Sequence, residues 1–541
     1  MSANRAYSLS PSGPKKISHS RRLRNLRHKI SSLFYGFVRP LFSSTSGPSS
    51  RVNGLSKGSE IRRRVQGQMT IERLPDDVLI DIFDFYANGY LVLDVFDVND
   101  ENGMARWRML VQVCQRWRRL VFASPRRLGL VLKYNGKRPM REMLDIWPVL
   151  PIEIRVRALG RPWGKPHARN IVEGLKSEGC CDRVREIHLD QFPSSHWDGF
   201  VAAMQRPFPR LTKLRVRRFG MDSAVLPISD SFLGGSASHL QQLGLRNMVL
   251  PFPAAQRLLL TAENLVKLYL WNTPDAGYFS PEAIATCLSA MPRLRHLILQ
   301  FDSPRRRPTE RPPPLTRSVI PVLTYLDFEG AHEYLDDLLA RIDAPLLRVL
   351  QICSFKDLMF DVPHLHRFIS NAELLRTLNH LDVSFSSYSV FLQLVGFAGM
   401  APLMLTIPCT QSDRQLSSLA RVCRSPHPPF STLEHLRIID DRRSPPQWGD
   451  DTENIHWLDF LHPFAALKNL FINEVVAPRI GHALQDLARE RTTKLLPALK
   501  NIYVSQFGPS DPVQEAIGQF VAERQRSGHP VVVHRWDGNL T

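Results

Sequence analysis

From about residue 128 onward one spacing of apolar positions keeps returning: apolar-x-x-apolar-x-apolar. It runs through Val149/Ile152/Ile154, Val184/Ile187/Leu189, Leu211/Leu214/Val216, Leu240/Leu243/Leu245, Leu265/Leu268/Leu270 and Leu294/Leu297/Leu299. It continues through Leu323/Leu326/Phe328, Leu347/Leu350/Ile352, Leu378/Leu381/Val383, Leu433/Leu436/Ile438, Leu467/Leu470/Ile472 and Leu499/Ile502/Val504, with a weaker copy at Leu405/Ile407. The last two apolar positions of each copy alternate as in a short strand and are expected to face inward. Stretches with helical spacing lie between copies, at 281–291, 334–342, 391–400 and 480–489. A strand and a helix cannot bury their apolar faces alone, so units recurring about every 25 to 35 residues predict an α/β solenoid over 128–541.

Upstream, the spacing is helical. Pro75 suits a first helical position, Asp76 and Asp77 then sit in the first turn, and apolar residues follow at 78/79, 82/83 and 86. A second stripe places Leu110, Val113, Cys114, Trp117, Leu120 and Val121 together, with Arg116, Arg118 and Arg119 off it and Ser124-Pro125 closing the element. Residues 69–127 therefore read as a small helical module. Its insertion at 90–106 is acidic, through Asp94, Asp97, Asp100 and Glu101, and reads as a surface loop.

Leu-Pro-x-x-Val-Leu-x-x-Ile-Phe at 74–83, followed by Val-Cys-x-x-Trp-Arg-x-Leu-Val at 113–121, resembles the F-box. The resemblance implies docking on the Skp-type adaptor of a cullin-RING ubiquitin ligase. The matching, adaptor-binding positions are Leu74, Pro75, Leu79, Ile82, Phe83, Leu110, Val113, Cys114 and Trp117. The link at 90–106 is longer than usual for that family. The downstream part resembles an irregular, long-period leucine-rich repeat array. It lacks the family's Asn at the ninth repeat position, where Phe192, Phe219, Met248, Thr273 and Asp441 stand instead. Backbone groups in those turns need other partners. The segment Leu128–Leu132, with Trp147-Pro148, reads as the joint to the first repeats.

Together these make an α/β chain: a small helical F-box module followed by an irregular leucine-rich-repeat-like α/β solenoid. That order is similar to substrate receptors of SCF ubiquitin ligases. With Ser-Pro-Arg-Arg-Leu at 124–128 and Asp-Ile-Trp-Pro-x-Leu-Pro at 145–151, the chain from about 70 onward resembles the large fungal F-box protein family. The resemblance implies a non-catalytic subunit that joins adaptor and cullin to an unknown protein substrate. The alternative is an interaction scaffold without ligase activity, targeted by its N-terminus.

Charge changes one part of this picture. The net charge is +19 over 541 residues, but residues 1–68 hold fourteen Lys/Arg against one acid, Glu60. The basic excess therefore sits mainly in a Ser/Arg-rich tail, read as disordered, and no specific nucleic-acid partner is expected. Within it, 21–42 is amphipathic: Leu23, Leu26, Ile30, Leu33, Phe34, Phe37 and Leu41 recur at helical spacing among Arg21, Arg22, Arg24, Arg27, His28 and Lys29. A mitochondrial transit peptide, a membrane-surface helix, a nuclear-import patch and a solvated tail all fit that pattern. A cytoplasmic or nuclear protein is the expectation, with mitochondrial targeting or peripheral membrane contact through 1–42 open. The uncharged run at 383–412 is broken by Gln393, Gly396, Gly399 and Pro402 and is not expected to span a membrane.

Chemistry is sparse. The seven cysteines, an odd number without metal-ligand spacing, suggest a reducing compartment. His332-Glu333 lacks the second His of a zinc protease motif and suits a helix start, and Gly234-Gly235-Ser236 lacks a nucleophile elbow. No catalytic residue, metal or cofactor is expected. His188, His296, His380 and His435 fall in or beside strands and are expected to point outward, with Arg215, Tyr269, Gln351 and Arg437 as further candidates for a binding face.

Overall fold

The computed structural model describes residues 71–88, 107–147, 149–156, 165–218, 229, 231–248, 252–273, 279–301, 317–354, 362–372, 378–395, 402–409, 412–424, 429–440, 450–490, 495–505 and 512–536. The tail 1–68, its amphipathic segment and the acidic loop 90–106 lie outside the described residues. The chain divides into two units, one ending at Leu130 and the other beginning at Val131.

The first unit contains α1 (Asp76–Asn88), α2 (Trp107–Val113) and α3 (Gln115–Ala123). Pro75 sits one residue before α1 rather than at its first helical position. Its carbonyl accepts the opening bond from the Leu79 N–H at 3.0 Å. Asp76 and Asp77 occupy the first turn, where the helix dipole favours them. Leu79, Ile82 and Phe83 are buried, and Phe83 meets Trp117 with ring centroids 4.7 Å apart. The predicted second stripe breaks at Cys114. That residue is extended (φ −157°, ψ 170°), and its Sγ accepts from the Trp117 N–H at 3.5 Å, capping α3. The break resets the helical phase, so Val113 and Cys114 are exposed while Trp107 and Val111 join Leu110 in the core. Arg116 ties the two helix starts together: its Nε donates to Asp76 Oδ1 at 3.0 Å and its Nη2 to the Leu74 carbonyl at 2.6 Å.

The second unit carries strands β1 (Leu132–Tyr134), β2 (Ile152–Val156), β3 (Val184–Phe192), β4 (Lys213–Arg218), β5 (Gln242–Arg246), β6 (Lys267–Thr273), β7 (His296–Phe301), β8 (Ser318–Val319) and β9 (Tyr325–Gly330). It continues with β10 (Ile342–Asp343), β11 (Val349–Ser354), β12 (His380–Phe385), β13 (Ser389–Val395), β14 (Leu403–Pro408), β15 (His435–Asp440), β16 (Asn469–Ile472), β17 (Asn501–Ser505) and β18 (Val532–Trp536). Helices α4 (Met140–Ile146), α5 (Lys165–Lys176), α6 (Trp197–Ala203), α7 (Phe252–Leu260) and α8 (Pro281–Ser289) fall between the earlier strands. Helices α9 (His332–Arg341), α10 (Pro363–Asn371), α11 (Ser412–Arg424), α12 (Asp450–Leu461), α13 (Ala477–Glu490) and α14 (Pro512–Arg526) fall between the later ones.

Among the described residues, sixteen strands form one sheet in the order β1-β2-β3-β4-β5-β6-β7-β9-β11-β14-β13-β12-β15-β16-β17-β18, and β8 and β10 pair separately. This is a long, mainly parallel α/β sheet of leucine-rich-repeat-like form. Leu214, Leu243, Leu268, Leu297, Leu326 and Leu350 stand side by side in register, all buried. Each such Leu gains stability only when the next unit covers it, which couples neighbouring repeats. The ninth repeat positions bury Phe192, Met248 and Thr273, whereas Phe219 and Asp441 lie outside the described residues. Turn carbonyls find Asn partners at shifted positions: Asn247 donates to Arg218 O at 3.3 Å and Asn473 to Asp440 O at 3.0 Å.

Three expectations fail here. Val149 is 81% exposed, and neighbouring Leu150 is buried in its place. The segment 391–400 was expected to be helical, but 391–395 belongs to strand β13. There Val390, Leu392 and Leu394 are buried and the residues between them are not, a period of two that the helical reading missed. The copy at 378–383 does not follow the copy at 347–352 in space. Instead β12, β13 and β14 form an antiparallel meander, and β14 is the strand that pairs with β11. Gln415 of α11 secures the meander from below, its Nε2 donating to the carbonyls of Ser386 (3.0 Å) and Cys409 (2.6 Å). Among the described residues, no helix is long and apolar enough to cross a membrane.

Candidate binding face

Because side chains alternate along a strand, burying the leucine rows presents every other residue on the opposite face. The central outward row from β2 to β11 reads Arg155, His188, Arg215, Gly244, Tyr269, Ile298, Asp327 and Gln351, each in register with the next. None of these residues is replaced by a leucine, and charge is not spread evenly among them.

The basic end begins at Glu186, whose side chain is only 4% exposed between Arg155 Nη2 (2.6 Å) and Lys213 Nζ (2.7 Å). Burial alone would raise its pKa, but hydrogen bonds from Lys213 and Arg155 outweigh this and hold the carboxyl below its ordinary range. Next to it His188 is pushed down to about 4, by burial first and then by the Arg155 charge. One strand on, Arg215 lies over two rings, 5.6 Å from the centroid of Tyr269 and 5.5 Å from that of Trp271. The rings themselves stack at 4.9 Å. Gly244 makes this possible: a Cβ there would stand 3.1 Å from Arg215 Cγ and 3.5 Å from Tyr269 Cδ2. Arg217 and Arg246 face each other across β4 and β5, and Arg217 reaches Asp190 at 3.4 Å.

The sign then reverses. Asp327 and Glu329 project from β9, and Tyr325 Oη donates to Gln351 Oε1 at 2.7 Å. Burial and the nearby Glu329 charge raise Asp327 to about 6. Its unfolded carboxyl ionises near 3.9, so over roughly pH 4–6 the folded state holds more protons and stability falls as pH rises. Asp327→Asn should therefore stabilise the unit at pH 7, by about 1–2 kcal/mol after allowance for partial solvation. His188 acts with the opposite sign. Its depressed pKa makes the unfolded state the better proton binder between about 4 and 6.5, so stability rises with pH there. Urea midpoints across pH 4–7 should accordingly climb more steeply in Asp327→Asn than in the parent.

Towards β18 the face becomes aromatic. Asp382 accepts from Arg437 Nε at 2.8 Å and pairs with His380 Nε2 at 2.7 Å. Phe471 and Tyr503 stack at 4.4 Å, and His534 stacks on Tyr503 at 4.8 Å. His380 and His435 stack at 5.8 Å. Burial lowers the pKa of His435.

The outward histidines, together with Arg215, Tyr269, Gln351 and Arg437, all line this face. Sequence reading missed Gly244, Trp271, Arg246, Asp327, Phe471 and Tyr503, although the residues between the paired apolar positions were the signal. In the helical unit, Leu79, Ile82, Phe83, Leu110 and Trp117 are buried, Leu74 is half-buried, and Pro75, Val113 and Cys114 are exposed. Among the described residues, no group of three or more His, Cys, Asp or Glu could hold a metal ion.

No family model matches the chain, and no curated protein matches it. Among solved structures it is similar to the leucine-rich repeat-containing protein LegL7 from Legionella pneumophila, at 12% identity and a TM-score of 0.24. That match covers 64% of this chain and 93% of the other.

Proposed function

We propose that the chain is a non-catalytic substrate receptor of a cullin-RING ubiquitin ligase. In this reading the helical unit docks on a Skp-type adaptor and the open sheet face binds a protein to be ubiquitinated. The observation that carries the proposal is the division within the F-box-like motif. Its apolar members pack inward and hold the three helices, while Pro75, Val113 and Cys114 are left at the surface around the helix starts joined by Arg116. An adaptor would meet those exposed positions. Ligation would then proceed by proximity, the receptor raising the effective concentration of its cargo beside a conjugating enzyme and supplying no nucleophile. A long outward face of mixed charge and stacked rings suits a protein ligand better than a small molecule, which needs a concave, mostly apolar site.

The test is co-purification of purified Skp-type adaptor with the tagged full chain. Pro75→Glu combined with Val113→Asp should abolish recovery of the adaptor while the thermal transition stays put, because both residues are exposed. Undiminished recovery would remove the docking reading and leave the interaction scaffold in first place.

A further inference from the structure

We propose that the outward face from β4 to β9 binds an extended peptide segment that is acidic at one end and basic at the other, laid across the strands, with its carboxylates at Arg215 and Arg246. This deepens the reading of the sheet as the substrate face and is independent of adaptor docking.

Arg215 is exposed, and no carboxylate or other acceptor among the described residues takes its N–H groups. Its side chain instead runs over Gly244, with Cζ over the rings of Tyr269 and Trp271. A guanidinium fixed by ring faces keeps its planar fork of donors for a bidentate carboxylate and gives up little freedom when one arrives. Arg246 adds an independent sign of a missing partner: its Nε is buried without a hydrogen-bond partner among the described residues. It also faces Arg217 directly across the strand pair, an arrangement of like charges that works against the sheet. An anionic ligand would relieve both.

The charge order along the sheet favours a peptide over a nucleic acid. Asp327 stands four strands from Arg215, about 19 Å at about 4.8 Å per strand, which an extended chain crosses in roughly six residues. A polynucleotide carries a phosphate at every step and would meet Asp327 and Glu329 with like charge. A peptide can reverse its sign along its length, placing Asp or Glu at the arginines and Lys or Arg at β9. Ile298 lies between them on β7, one strand from Asp327, and offers an apolar contact there.

The experiment is selection of an unphosphorylated random dodecapeptide library on the full chain, followed by fluorescence anisotropy with the best sequence. The expected result is enrichment of Asp/Glu at one end and of Lys/Arg five to seven residues away. Arg215→Glu with Arg246→Glu should weaken binding at least tenfold with an unchanged thermal transition, and Arg215→Lys should lose affinity partially. Gly244→Val should reproduce the loss without altering any charge. Absence of acidic enrichment, equal affinity in the double variant, or displacement of the peptide by oligo(U) RNA with the same arginine dependence would each overturn the proposal. Adaptor recovery by the arginine variants is read separately. Adaptor recovery by the parent chain without acidic enrichment would sink this inference alone, and loss of adaptor recovery by the parent chain with peptide binding intact would sink adaptor docking alone.

Discussion

Trp117→Ala is expected to cost the helical unit about 3–5 kcal/mol, enough to leave it largely unfolded. Trp117 is 6% exposed and packs against Phe83, which is fully buried in α1. The three helices described in this unit are short and have few other contacts of that size to fall back on. Limited proteolysis of the full chain would show cleavage within 76–123 while the sheet unit resists. Val113→Ala, four residues earlier, should change stability by no more than about 0.5 kcal/mol, because Val113 is exposed. The reverse ranking would mean that the helical stripe runs unbroken through Cys114.

Leu326→Ala in β9 should destabilise the sheet unit by about 3–4 kcal/mol, seen as a lower urea midpoint. Leu326 is fully buried, flanked in register by Leu297 and Leu350, so the cavity would be felt by the repeats on both sides. Asp327→Asn, one residue along the same strand, is expected to act with the opposite sign. The two residues stand on opposite faces of the strand: Leu326 on the covered face, Asp327 on the open one. Destabilisation by Asp327→Asn would show that the Asp327 carboxylate is favourable in the fold, against its raised pKa.

The strand positions were legible because burial imposes a period of two wherever one sheet face is covered, and the leucine rows repeat that constraint in nearly every unit. Residues 389–395 escaped for a chemical reason: Phe391, Gln393 and Val395 are not charged, so the outward positions did not announce themselves and the run could be taken for a helix. The meander was invisible for the same cause, since an apolar pattern does not record strand direction. In the helical unit the motif identified the apolar residues, but not the turn at Cys114, which depends on a cap made by a side chain seldom used for it. The binding face was half legible. Its histidines and Arg215 stood out by type, whereas Gly244 matters for what it lacks, and Trp271 and Arg246 gain meaning only from the strands beside them.

Hydrogen–deuterium exchange of the full chain, with and without saturating purified Skp-type adaptor, reads the helical unit and the sheet unit separately. Adaptor docking on the helical unit should slow exchange in 74–83 and 107–121 and leave β3 to β9 unchanged. Unchanged exchange throughout, or protection confined to the sheet strands, would contradict it.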